Sequence, residues 1–420
     1  VARQIFSDAG DRRRLAFVLV SLAELSLERG RLLATEEDLA TAMEVAAETG
    51  NEPAAIRAQI VKGKLSLLLA RPAVARQAFL EAEGRARALG DRRRLADALE
   101  GLGLVALRSG YLKQAQTWLD EVRELYARMG DRQRLADALL YLGDVQQGIG
   151  HVARALRHFR RAERGYREIG HPEGEAAARF RIGRVFRARG HTTDAIRELA
   201  ASAEMYGRLG LPEGWLAMRD LGRALADAGS DRLAGVALAR ADRGEVAGAA
   251  RRAHRVESRT VRAEMALRRD DVRAARYWAR QAAHHARRTT GHGARIAARL
   301  AVAEVALHAN EPDEAAAAAA EALAFAFEHG DPLAVAAAER TLAELAARRD
   351  RMDDAHTHAH RAARAYTGRA DAGSGPAKLL HALRRGMRET DPTRSDRYRR
   401  AAHRCYARLE SQGFRAPDDL

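Results

Sequence analysis

The chain has 420 residues, 47% of them hydrophobic but only 5% aromatic, a balance that suits helix-on-helix packing and no β fold. Its 72 Lys and Arg against 57 Asp and Glu leave a net charge of +15; this raises nucleic acid as a partner, while the interspersed acids equally describe a long solvated surface. No run of 18 apolar residues exists, so no membrane span is expected, and Cys405, the one cysteine, can close no intramolecular disulfide, which points to a reducing cytoplasm.

Along the chain a glycine returns every forty residues: Gly10, Gly50, Gly90, Gly130, Gly170 and Gly210, then Gly330. A second series runs half a period away through Gly30, Gly110, Gly150 and Gly190. Such a period marks a solenoid of small units that bury their apolar faces only by stacking. Val1 opens almost directly in repeat structure with no signal peptide before it, so a fragment or a trimmed start is expected. The repeats fall near 11–50, 51–90, 91–130, 131–170, 171–210, 211–250, 251–290, 291–330 and 331–370.

The third repeat serves as the type. Gly90 and Asp91 open it, and Leu95, Ala98, Leu99, Leu102, Val105 and Ala106 follow at helical spacing. Gly110 ends that helix. Leu112, Ala115, Leu119, Val122, Leu125 and Tyr126 form a second helix, which Gly130 closes. Pro53, Pro72, Pro172, Pro212, Pro312 and Pro332 all sit where a first helical turn tolerates them.

Small residues are phased as well. Gly63, Gly103, Gly143 and Gly183 recur at one position, with Gly222 one residue early and Ala23, Ala263, Ala303 and Ala343 in the other repeats. Their repetition predicts a close helix crossing, where leucine is excluded and alanine is tolerated. Ala75, Ala115, Ala155, Ala195, Ala234, Ala275, Ala315 and Ala355 recur in the second helix, and only Thr35 departs. The sixth repeat slips phase and carries Gly235, Gly244 and Gly248, which predicts a kink within 229–256. Residues 371–376 read as a linker, and 377–388 and 393–412 as helices that cap the array, so 371–420 forms a linker and cap.

These positions resemble the tetratricopeptide repeat in its forty-residue form, as in kinesin light chains and bacterial signalling proteins. The family's small eighth residue matches the glycine series. Its alanine at twenty matches the alanine series, and its bulky residue at twenty-four matches Leu39, Phe79, Leu119, Phe159 and Leu199. Ala279, Ala319 and Ala359 depart from that last position, which leaves packing there open between tighter and weaker. The resemblance covers residues 12–370. It implies an all-α, right-handed superhelical solenoid of about nine antiparallel helix pairs with a C-terminal helical cap.

Little else carries chemistry. Gly101-Leu-Gly103-Leu-Val-Ala106 matches a dinucleotide fingerprint but lies within a helix. His356, His358 and His360 place two imidazoles on one helical face, yet no further ligand completes a metal set, so no metal and no cofactor is assigned. No nucleophile–base motif or phosphate loop appears, and a non-enzymatic role follows.

In the family, the first helix lines a groove and its second, fifth, ninth, twelfth and thirteenth positions touch ligand. The ninth positions here are Glu24, Lys64, Leu104, Asp144, Arg184, Arg223, Glu264, Glu304 and Glu344. Arg187 and Arg219 join the basic middle, and Asp97, Glu100 and Asp137 the acidic part before it. The expectation is a cytoplasmic scaffold, or the sensor or docking region of a larger bacterial signalling protein. It would bind a protein or peptide in the groove, with Arg184, Arg187, Arg219 and Arg223 docking an acidic segment. Internal salt bridges that neutralise the arginines are the alternative at that site. A nucleic-acid-binding helical repeat using its basic surface is the alternative function, and the oligomeric state is left open.

Overall fold

The computed structural model describes residues 2–366, apart from 212, 245–247, 290 and 330. Nineteen helices and no strand occur among the described residues. A short α1 (Ala2–Asp8) leads into nine helical hairpins. The first four are α2 (Arg12–Glu28) with α3 (Leu32–Glu48), α4 (Glu52–Leu68) with α5 (Pro72–Leu89), α6 (Arg92–Arg108) with α7 (Leu112–Met129), and α8 (Arg132–Ile149) with α9 (Val152–Glu168). Next come α10 (Pro172–Ala188) with α11 (Thr192–Leu209), α12 (Gly214–Asp227) with α13 (Asp231–Arg243), and α14 (Gly248–Arg268) with α15 (Val272–Ala286). The last are α16 (His292–His308) with α17 (Pro312–Glu328) and α18 (Pro332–Arg348) with α19 (Met352–Tyr366). The chain is therefore all α and built from consecutive packed pairs. The expected linker and cap at 371–420 lie outside the described residues.

Capping chemistry explains the forty-residue punctuation. At the type boundary, Gly90 adopts φ +71°, and the Gly90 and Asp91 amides donate to the Arg87 and Ala86 carbonyls. This satisfies the end of α5 in a left-handed turn. The Asp91 carboxylate then accepts from the Arg94 amide and starts α6. Asp11, Asn51, Asp131, Asp271 and Asp331 repeat that cap on their own helices. The glycine-plus-acid pair is thus one device, a stop followed by a start.

The half-period turns obey the same geometry without always having glycine. Ala70, Asp270, Asn310 and Asp350 take φ +55° to +57° where other repeats place Gly30, Gly110, Gly150 and Gly190. An L-residue pays about 1–2 kcal/mol there, whereas glycine loses about 0.4–1 kcal/mol more chain entropy on folding. Ala70→Gly is accordingly expected to stabilise the chain by about 0.5–1 kcal/mol. Chemical denaturation of the variant checks this.

Two compact bodies divide the chain, one through Gly174 and one from Glu175 onward. In the first, Phe79, Leu99, Leu102 and Tyr126 pack into one buried cluster, and Leu119, Leu142 and Val145 into another. In the second, alanine replaces bulk: Ala263, Ala266, Ala275 and Ala279 form one buried cluster, and Ala303, Ala318 and Ala319 another.

The small series is a packing device. At Gly143 an added Cβ would lie 2.3 Å from the Phe159 ring, and at Gly103 it would lie 2.7 Å from Leu119. Where the eighth position is Ala263, Ala303 or Ala343, the facing residue is Ala279, Ala319 or Ala359, in the same buried cluster. The departures at position twenty-four are therefore compensated: glycine faces a bulky residue, and in the last three repeats alanine faces alanine.

In the sixth repeat α13 ends at Arg243, and the next helix, α14, begins at Gly248. Gly235 lies inside α13, Val256 is buried within α14, and Gly244 leaves the helix in an extended conformation at φ −57°, ψ 141°. Asp242, at the end of α13, ties that end to α14: its carboxylate accepts from Arg262 at 2.8 Å and Ser258 at 3.3 Å. His254 Nε2 lies 3.1 Å from it at ion-pair distance, and the buried imidazole sits edge-on to Trp215. Burial raises the Asp242 pKa, but His254 and Arg262 outweigh it and bring it down to about 2.

Candidate functional site

Within each body, successive first helices meet one another: α2 with α4, α4 with α6 and α6 with α8 in the first, and α12 with α14, α14 with α16 and α16 with α18 in the second. Polar residues at the second, fifth and ninth positions meet one another across these helix contacts, on what we term the inner face. A ladder of ion pairs runs across it. Arg57 binds Glu24 in the first body. In the second body Arg219 binds Glu257 at 2.6 Å, Arg223 binds Glu264 at 2.9 Å and Arg340 binds Glu304 at 2.7 Å. Each pair links a helix to its counterpart in the neighbouring repeat.

The structure brings Arg184, Arg187, Arg219 and Arg223 together, but each is already paired. Asp220 sits between Arg219 at 2.8 Å and Arg184 at 3.5 Å. Asp227 sits between Arg187 at 3.6 Å and Arg223 at 3.7 Å. With Glu257 and Glu264, four carboxylates meet four guanidiniums. Burial lowers the Arg223 pKa, yet Glu264 and Asp227 hold it above its ordinary value. Burial pushes the Glu264 carboxyl up, opposed by Arg223 and reinforced by Glu304. Arg184 is the most open of the four, with 51% of its side chain exposed, and it also lies over the Phe180 ring at 5.6 Å.

The remaining expected residues are dispersed. Lys64 is exposed on α4, Asp144 is half-buried on α8, and Glu344 pairs within its own helix with Arg348 at 2.8 Å. Asp220 and Asp227 escaped the sequence analysis although their signal was present: one adjoins Arg219 in sequence, and the other holds the thirteenth position of its helix.

A second polar network lies on the inner face of the first body. The Tyr126 hydroxyl donates to Asp97 at 3.0 Å and Glu100 at 3.1 Å, while Arg134 approaches Glu100 at 3.6 Å and Asp97 at 3.9 Å. One repeat later, Tyr166 donates to Asp137. Tyrosine at the end of a second helix and aspartate twenty-nine residues earlier is thus a repeated bond, visible in the sequence as a second forty-residue phase. Glu100 is 9% exposed, and burial with Asp137 and Asp97 nearby pushes its carboxyl up to about 7 despite Arg134. Burial, with Glu100 and Asp97 beside it, pushes the Tyr126 hydroxyl far above its ordinary value. Arg134 is held above its own, because the carboxylates outweigh burial.

Among the described residues no group of three or more His, Cys, Asp or Glu side chains is placed to hold a metal. His358 instead meets the buried Glu339 at 2.6 Å. The side chain of His356 lies outside the described set. No helix among the described residues is long and apolar enough to cross a membrane.

Comparison with known proteins agrees with this architecture. The family described as tetratricopeptide repeat matches residues 94–168. The apo form of RapI shares the fold at TM-score 0.64 and 11% identity, over 84% of this chain and 97% of that one. A Rap protein complexed with competence and sporulation factor is similar at TM-score 0.52 and 12% identity, over 77% of this chain and 98% of that one. No curated protein sequence matches the chain.

Proposed function

We propose that this chain, which carries tetratricopeptide repeats, binds a protein or peptide segment along the inner face of its first helices and serves as a scaffold or sensor rather than a catalyst. The charged ladder on that face carries the reading. Its side chains come from several repeats and are held in register by their own pairs, so a bound segment can exchange its charges for internal ones. The Rap protein of similar fold holds a bound factor, which supports a ligand-binding use of such an array.

For an acidic segment the groups to engage are Arg184 and Arg187, the more loosely paired of the four. Their partners stand at 3.5 and 3.6 Å, looser than the 2.6 and 2.9 Å contacts of Arg219 and Arg223. Ligand carboxylates would replace Asp220 and Asp227 there, and the guanidinium forks would hold them. The test selects peptides from a random displayed library on the full chain and measures their affinity for Arg184→Glu with Arg187→Glu. At least a tenfold loss is expected, with helical content intact and wild-type binding weakening as salt rises. Unchanged affinity of every selected peptide ends the assignment.

A further inference from the structure

The outer face of α9 carries a charge pattern that the inner-face reading does not use. Arg154, Arg157, Arg161 and Arg164 are all exposed and make no ion pair or side-chain hydrogen bond among the described residues. At about 100° per residue they fall within an arc of about 80°, and at 1.5 Å per residue they span about 15 Å. Arg132 of α8 joins Arg161 and Arg164 around a groove of about 400 Å³, floored by Leu135 and Leu139 and closed at one end by Glu168. The neighbouring second helices of the same body differ. On α7, Arg123 and Arg128 pair with Asp120 and Glu124, and on α5, Arg85 and Arg87 pair with Glu52 and Glu83. Among the described residues, no other second helix of this body carries four exposed, unpaired arginines on one face.

Three features select the partner. The stripe is a rigid row of forked donors with steps of about 4.5–6 Å, suited to a regular polyanion whose linear charge density is high. The large apolar side chains exposed on this protein include none from α8 or α9, so the apolar anchors of a protein interface are missing. Phe159 and Tyr166 of α9 are buried, which leaves no aromatic platform there for unstacked bases. We propose that the outer face of α9, with Arg132, docks on the phosphate backbone of duplex DNA without reading its sequence.

The test is fluorescence anisotropy of the full chain with a mixed-sequence DNA duplex between 50 and 200 mM salt. Four or five neutralised phosphates give a log–log salt slope of about −4, a loss of about 250-fold over that range. Arg157→Gln with Arg161→Gln is expected to lower affinity at least tenfold at 50 mM salt and to flatten the slope by about 2. Both positions are solvent-exposed, and circular dichroism verifies the helices. Arg92→Gln with Arg93→Gln, equally exposed on α6, is expected to bind as wild type. An unchanged slope in the α9 variant overturns the proposal. So does tighter binding of polyglutamate, or of single-stranded RNA of equal charge, than of the duplex. Because Arg184 and Arg187 belong to α10 and not to α9, their reversal tests the inner-face reading alone.

Discussion

Gly143→Leu is expected to abolish folding of the fourth repeat, and Gly143→Ala to destabilise it. A Cβ at this position would lie 2.3 to 2.9 Å from three atoms of the Phe159 ring, which is itself fully buried. A flexible chain end could swing aside, but a ring enclosed on all sides moves only by displacing α9 from α8. Overpacking a tight contact costs about 1–3 kcal/mol, and leucine adds three more carbons to the same space. Alanine recovers about 1 kcal/mol of helix propensity, against a clash that contacts this short place in the upper part of that range, about 2–3 kcal/mol, so a net loss of about 1–2 kcal/mol is expected. Thermal melts should therefore rank wild type, alanine, then leucine. A Gly143→Ala protein as stable as wild type would show that the ring yields freely.

That ranking corrects an expectation drawn from the sequence. Ala23 and Ala263 hold the same phase as Gly143, and read down the column they make alanine look acceptable. The structure shows why the column misleads: acceptance depends on the residue opposite. Ala23 faces Leu39 and Ala263 faces Ala279, in clusters whose buried residues include no phenylalanine. Gly143→Ala combined with Phe159→Leu copies the Ala23–Leu39 pair. It should restore part of what the single substitution loses, with a coupling of about 1 kcal/mol. Periodicity makes each position legible alone; the compensation between two positions on different helices appears only when the helices are docked.

The same limit applies to the inner face. The arginines were legible because they fall at repeated positions, and Arg184 and Arg187 were placed on one face by spacing alone. Their neutralisation was not, since Asp220 and Asp227 reach them from the next first helix. Salt bridges across 36 to 41 residues depend on how two helices stack, which a single-helix pattern does not contain. Ala70, Asp270, Asn310 and Asp350 illustrate the converse. Asn and Asp tolerate a left-handed turn but do not require one, and Ala disfavours it, so only the phase they share with Gly110 announces it.

Glu100→Gln is expected to stabilise the chain at neutral and alkaline pH and to leave it unchanged in acid. The carboxyl is enclosed beside Asp97 and Asp137, with Arg134 as its facing cation, and titrates at about 7 in the folded protein. In the unfolded chain it returns to the ordinary 4.5. Between those values the folded state binds the extra proton, so stability is fully present below pH 4.5, falls as pH rises, and levels off above about 7. The displacement corresponds to about 3 kcal/mol across that window. Glutamine keeps an acceptor for the Tyr126 hydroxyl and carries no charge to desolvate. The difference between variant and wild type should therefore open from near zero at pH 4 to about 2–3 kcal/mol at pH 8. Asp97→Asn removes one of the charges that raise Glu100, and should lower the upper end of that window and reduce the stability lost across it. Denaturant titrations of the three proteins from pH 4 to 8 give the comparison. Parallel curves for wild type and Glu100→Gln would mean that water or Arg134 already satisfies the carboxylate in the folded state.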